Sequence, residues 1–118
     1  MFNQSELIIK RPKRNGYCVK LEDIRNTLYY ISRNGELELE DCNGYLISGK
    51  TKINKLPLYK VKESEHIVLS MLPNTDPAVL EKTVRDFAQE TFTNEYWVMV
   101  RHSDTSHPHC HLIVLYTR

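Results

Sequence analysis

Four of the five histidines fall within ten residues: His102, His107, His109 and His111. Side chains alternate along an extended strand, so His109 and His111 share one face, roughly 7 Å apart. Cys110, Leu112 and Val114 then turn the other way, toward a core. His102 closes the preceding apolar segment and folds back beside that pair if a hairpin joins the two. Three neutral imidazoles converging from one side leave coordination positions open, which is the layout of a catalytic metal site rather than a closed structural one. Solvated surface histidines would explain one or two such residues, but not four in this alternation. Asp104, two residues after His102, is a candidate to orient a ligand. His107 has the parity of the pair but precedes Pro108 and belongs to a turn, so it ranks below the other three. His66 stands alone at the start of an apolar segment and reads as structural.

A metal site of this kind needs a nucleophile to serve. Leu21, Ile24, Leu28 and Ile31 recur at helical spacing. At about 100° per residue, Tyr30 falls roughly 140° from that stripe, near Asp23 and Asn26. Packing does not require a tyrosine there. Tyr29 lies nearer the edge of the stripe and reads as partly buried. Arg33, within one turn, could hold a phosphate or favour the phenolate by its charge. Taken alone, the segment is an ordinary amphipathic helix with two tyrosines.

The elements that must position these groups follow from periodicity. Glu6 to Lys10 suits a short strand, and the helix from Leu21 ends at Gly35. Glu36 to Lys60 carries little pattern beyond turns at Asn43-Gly44 and Ser48-Gly49, with a short strand at Tyr45 to Ile47. His66 to Leu72 is an apolar run of strand length. Asp76-Pro77 reads as an N-cap with proline at the first helical position, and Leu80, Val84, Phe87 and Ala88 make one face of a helix reaching about Phe92. Tyr96 to Arg101 and His109 to Tyr116 are strands joined too tightly for anything but a hairpin. The fold class is α+β, an antiparallel sheet flanked by helices, with the histidine pair on a sheet strand.

The chain has 118 residues, which suits one domain, 1–118, with an apolar share of 41%. Three unpaired-looking cysteines, Cys18, Cys42 and Cys110, point to a reducing cytoplasm and away from a disulfide scaffold. Neither a membrane-spanning run nor a signal-peptide pattern is present, so no membrane partner is expected. Net charge is only +1, but its distribution is uneven. Lys10, Arg11, Lys13, Arg14 and Lys20 form one acid-free basic stretch, and Lys50, Lys52, Lys55, Lys60 and Lys62 form another. Two such blocks could bracket a phosphate backbone, or be solvated surface.

Taken together, two segments resemble a known family. Leu28-Tyr29-Tyr30-Ile31-Ser32-Arg33-Asn34-Gly35 resembles the tyrosine motif of the MobA/VirD-like relaxases, and His102-Ser103-Asp104-Thr105-Ser106-His107-Pro108-His109-Cys110-His111 resembles their H-x-D-x-x-x-P-H-x-H motif. Both lie in the family's order, and the likeness runs from residue 21 onward. These relaxases are HUH endonucleases, named for two histidines flanking a hydrophobic residue. The resemblance implies nicking of single-stranded DNA at the transfer origin of a plasmid or mobile element in the bacterial cytoplasm. Tyr30 would be the nucleophile and form a 5′-phosphotyrosine. His102, His109 and His111 would bind a divalent cation, Mn²⁺ or Mg²⁺, with Zn²⁺ a further candidate, and Asp104 would orient or handle a proton. Tyr29, Arg33 and His107 are secondary candidates. Lys10, Arg11, Lys13, Arg14, Lys50, Lys52 and Lys55 would grip the DNA. Accessory relaxosome proteins and a secretion-system coupling protein are the implied protein partners.

Leu115 stands where the family often has Asn, and Arg118 closely follows the metal-bearing strand, which reads as a truncated or minimal domain. Two alternatives fit parts of the same sequence. His107-Pro108-His109-Cys110-His111-Leu112-Ile113 formally satisfies the histidine-triad pattern of nucleotide hydrolases, with His109 as a metal-free nucleophile. The other is an inactive single-stranded-DNA-binding module of the same fold.

Overall fold

The computed structural model describes residues 7–11, 20–103 and 107–117. The chain order is strand β1 (Ile8–Lys10), helix α1 (Leu21–Ile31), strands β2 (Leu39–Asp41) and β3 (Leu46–Ile47) and helix α2 (Gly49–Asn54). A 3-10 turn (Leu58–Lys60), strand β4 (Glu63–Ser70), helix α3 (Pro77–Thr91) and strands β5 (Tyr96–His102) and β6 (His109–Tyr116) complete it. Among the described residues six strands form one sheet in the order β1-β4-β6-β5-β2-β3, every pairing antiparallel. This is the α+β architecture expected from the sequence.

Both faces of the sheet are covered, and each helix finds its face through its apolar stripe. Asp76 caps α3, its Oδ1 accepting the Ala78 N–H at 2.9 Å, with Pro77 in the first turn. Leu80, Val84, Phe87 and Ala88 pack on Ile67, Leu69, Trp97, Met99, Cys110, Leu112 and Val114. The opposite face takes Ile24, Leu28 and Ile31 of α1 and Ile53 of α2 against Val98, Val100, Ile113 and Leu115. Full burial of each such aliphatic side chain stabilises the fold by about 1.5–3 kcal/mol. Leu21, expected in the stripe, is 41% exposed because it opens the helix, one turn before the buried contacts begin.

Glu40 and Asp41, which lie between the two lysine blocks in the sequence, have a structural use. Asp41 is buried at the β2–β3 turn, where its Oδ1 accepts the N–H groups of Asn43 and Tyr45 and its Oδ2 accepts the Tyr96 hydroxyl. Burial, and then that carboxylate, push the Tyr96 phenol above its ordinary range. Glu40 takes two hydrogen bonds from Arg85, at 2.6 and 2.8 Å, tying α3 to the sheet. The strand expected at His66 to Leu72 runs from Glu63 to Ser70 instead, and Leu72 is exposed beyond its end.

Candidate active site

The β5–β6 hairpin pairs His102 directly with His109, and His111 follows on the same face two residues along β6. Their ring centroids stand 5.1 Å (His102–His109), 4.6 Å (His102–His111) and 5.2 Å (His109–His111) apart. One ligand nitrogen from each lies within 4.8 Å of the other two. His102 and His111 are 8% and 7% exposed, and His109 is partly open. The hydrogen bonds decide which nitrogens remain for a ligand. His102 Nε2 donates to the Ile31 carbonyl at 2.7 Å, which leaves the lone pair on Nδ1. His109 Nδ1 donates to the His107 carbonyl over a longer 3.4 Å, which leaves Nε2. His111 Nδ1 lies 2.8 Å from His66 Nε2. A compact, largely dry set of neutral imidazoles with their second nitrogens engaged fits a divalent cation well.

Burial is the first cause holding His111 neutral, and the His102, His66 and His109 imidazoles add to it; together they pull its pKa down to about 3. That folded-state value lies below the ordinary 6.5, so between those limits the folded chain binds fewer protons here than the unfolded chain. Stability from this group is therefore complete above pH 6.5 and is lost as pH falls toward 3, by at most about 1.4 kcal/mol per pH unit. In chelator, urea midpoints followed by Trp97 fluorescence should fall between pH 7 and 4, and His111→Gln should flatten that slope. An equally steep slope in the variant would show that His111 is not the group responsible.

The end of α1 brings the tyrosines to this site. The sequence Ser32-Arg33-Asn34-Gly35 stops the helix by turning left-handed three times, with φ of 52° at Arg33, 60° at Asn34 and 88° at Gly35. Non-glycine residues pay about 1 kcal/mol or more for this conformation, so other contacts must hold it. Buried Ser32 supplies them: its hydroxyl accepts the Gly35 N–H at 3.0 Å and its carbonyl accepts the Leu37 N–H at 2.9 Å. A Cβ on Gly35 would sit 2.8 Å from the Gly49 Cα, so glycine also lets α2 dock on this turn. The result fixes Tyr29 and Tyr30 differently. Tyr30 is 71% exposed, its ring edge-on to His111 with centroids 6.3 Å apart. Tyr29 is half-buried, its hydroxyl bonded to Asn54 and Lys50 Nζ lying 5.3 Å from its ring centre.

The remaining candidates are placed as follows. His107 is outside the cluster: its Nε2 donates to the Met71 carbonyl at 2.9 Å. A histidine-triad reading needs His107 in line with His109 and His111, and this position does not provide it. Asp104, Lys13 and Arg14 lie outside the described residues. Arg33 is exposed on the left-handed turn. Arg11 is ion-paired with Glu65, while Lys10, Lys50, Lys52 and Lys55 are exposed. His66, which reads from the sequence as structural, touches His111. Its signal was a fourth imidazole on a neighbouring strand, legible only once the register of β4 on β6 is known.

A tyrosine-bearing helix over an antiparallel sheet that carries His109-Cys110-His111 is an HUH-endonuclease-like arrangement. Residues 21–117 match the relaxase family described as MobA/VirD2-like, nuclease domain, and the chain belongs to that family. It is 26% identical over 132 aligned residues to the T-DNA border endonuclease VirD2 of Rhizobium radiobacter, an alignment covering 91% of this chain and 31% of that protein. The chain thus spans about a third of that relative's length. No solved structure matches it. Among the described residues no helix is long and apolar enough to cross a membrane.

Proposed function

We propose that the chain nicks single-stranded DNA at a transfer origin by transesterification, with Tyr30 as the nucleophile. The observation that carries this reading is the exposed Tyr30 ring standing edge-on to His111, beside three imidazoles that can share one ion. The Tyr30 hydroxyl oxygen attacks the scissile phosphorus and the phenol proton leaves. The bond to the 3′ oxygen breaks, and that oxygen is protonated to a 3′-hydroxyl. One phosphodiester is exchanged for another, so the step is close to reversible and the 5′ end stays on the protein. His102 Nδ1 with Nε2 of His109 and His111 would hold a divalent ion, Mn²⁺ or Mg²⁺ or Zn²⁺, which when bound supplies charge to polarise the phosphate. The accessory proteins and coupling protein of conjugative transfer are the protein partners this reading implies. Incubating the chain with single-stranded origin DNA and Mn²⁺ tests it. A covalent protein–DNA adduct is expected, and DNA binding without any adduct would favour the inactive binding module.

Charge and strand register suggest a path for the DNA strand. Lys10 pairs with Val68, and Val68 with His111, so all three share the histidine face, on which Val68 and Ser70 are partly exposed. On the other flank Lys50 and Lys52 project from α2, which packs on α1, and Lys55 directly follows it. Single-stranded DNA bound between them should show strongly salt-dependent affinity. Replacing Lys50, Lys52 and Lys55 together by Gln should lower the log–log salt slope by about 2, at roughly 0.7 per phosphate contact. An unchanged slope in fluorescence anisotropy would make these lysines plain solvated surface.

A further inference from the structure

We propose that His66 is a positioning residue of the metal centre, fixing the tautomer of His111 so that its Nε2 is presented to the ion. The inference rests on the metal reading above and adds to it a residue that is not among the three ligands. Its first support is geometric. His66 Nε2 and His111 Nδ1 are 2.8 Å apart, their rings tilted by 31° with centroids 5.0 Å apart. The contact is set by backbone register: β4 pairs with β6 so that His66 lies opposite Ile113 and diagonal to His111 on the same face. Both residues therefore stand on adjoining strands inside the sheet, a rigid support for a ligand.

The second support is the pattern of the other two ligands. The non-ligating nitrogen of His102 ends on the Ile31 carbonyl, and that of His109 on the His107 carbonyl. A carbonyl only accepts, so it fixes the tautomer without ambiguity. His111 has an imidazole in that place, and an imidazole nitrogen either donates or accepts. Between two neutral rings the contact holds one proton. With the proton on His111 Nδ1, His66 Nε2 accepts it and His111 Nε2 keeps the lone pair a metal needs. With the proton on His66 Nε2, His111 carries its own proton on Nε2 and cannot ligate there. Metal binding and the direction of this hydrogen bond are one choice, and His66 must hold its own proton on Nδ1 for the site to form. A neutral acceptor also adds no negative charge beside the ion, so the full cationic charge remains available to phosphate.

Co²⁺ serves as the probe, added to the full chain and to His66→Leu and His66→Gln. Leu keeps the apolar volume and removes the acceptor, whereas Gln places an amide oxygen near where His66 Nε2 stands. The Leu variant should bind Co²⁺ about 10- to 100-fold more weakly, and the Gln variant should recover most of that loss. In proton NMR of the Co²⁺ form, the strongly shifted exchangeable N–H signal of His111 should be present in wild type and Gln and absent in Leu. The His102 N–H signal should persist in all three. A Leu variant that binds as tightly as wild type with the same N–H signals overturns the proposal and leaves the metal site standing. Gln binding no better than Leu also overturns it, because a space-filling role alone would give that result. Wild type that binds no Co²⁺ removes the metal reading itself, and this inference with it.

Discussion

Tyr30→Phe should abolish the covalent protein–DNA adduct, a loss on the order of 10³-fold or more, while leaving folding and single-stranded-DNA affinity nearly unchanged. The size follows from chemistry: phenylalanine has no oxygen to form the new phosphoester. The sparing of the fold follows from position. The Tyr30 ring is 71% exposed, and exposed substitutions generally shift stability by less than about 0.5 kcal/mol. Tyr29→Phe is the informative control. Its hydroxyl is bonded to Asn54, so its loss should cost about 0.5–1.5 kcal/mol of stability and reduce the adduct only modestly. Adduct yield on denaturing gels, with thermal midpoints and anisotropy for the same proteins, separates the two. Adduct surviving in Tyr30→Phe and lost in Tyr29→Phe would make Tyr29 the nucleophile and overturn the assignment.

How much of this was legible depends on how local each signal is. The alternation His109, Cys110, His111 and the helical stripe of Ile24, Leu28 and Ile31 are local periodicities, so the strand, the helix and the exposure of Tyr30 could all be read directly. The Asp76-Pro77 start of α3 was equally plain, because cap chemistry is written in adjacent residues. Helix α2 was not legible: in six residues only Ile53 is buried, too few for a period to register. Strand β3 falls within the strand read at Tyr45 to Ile47, but β2 has only three residues and is held by Asp41 and Tyr96, partners far apart in sequence. The contact of His66 with His111 was hidden for the same reason. It is set by the β4–β6 register, and neither strand's own pattern contains that register. Arg33, Asn34 and Gly35 were visible as a motif, but their shared left-handed conformation and the contact of Gly35 with Gly49 emerge only with α2 in place.

Alanine at His109 or His111 should remove the metal and the adduct together, with metal affinity falling by at least about 100-fold and DNA affinity largely retained. The coupling is expected because each imidazole supplies one of the three ligand nitrogens that converge among the described residues, and losing one weakens the hold on the ion. DNA affinity should survive because the lysines proposed to grip the strand, Lys10 on β1 and Lys50, Lys52 and Lys55 at α2, are not among the converging ligands. His102→Ala should be as damaging, and it also leaves the Ile31 carbonyl, one residue from Tyr30, without its imidazole donor. His107→Ala should cost far less, since that ring is engaged with the Met71 carbonyl and lies outside the group of three imidazoles. Imidazole ligands also order the metals: Mn²⁺, Co²⁺ and Zn²⁺ should bind more tightly than Mg²⁺, which prefers oxygen. Metal content after dialysis and adduct yield, measured for all four single variants, give a pattern that no unfolding artefact mimics, because His107 lies beside the cluster yet should be spared. If His107→Ala loses the metal while His102→Ala keeps it, the ion is held by the three alternate histidines of one segment, and the pairing of His102 with His109 across the hairpin has no part in binding it.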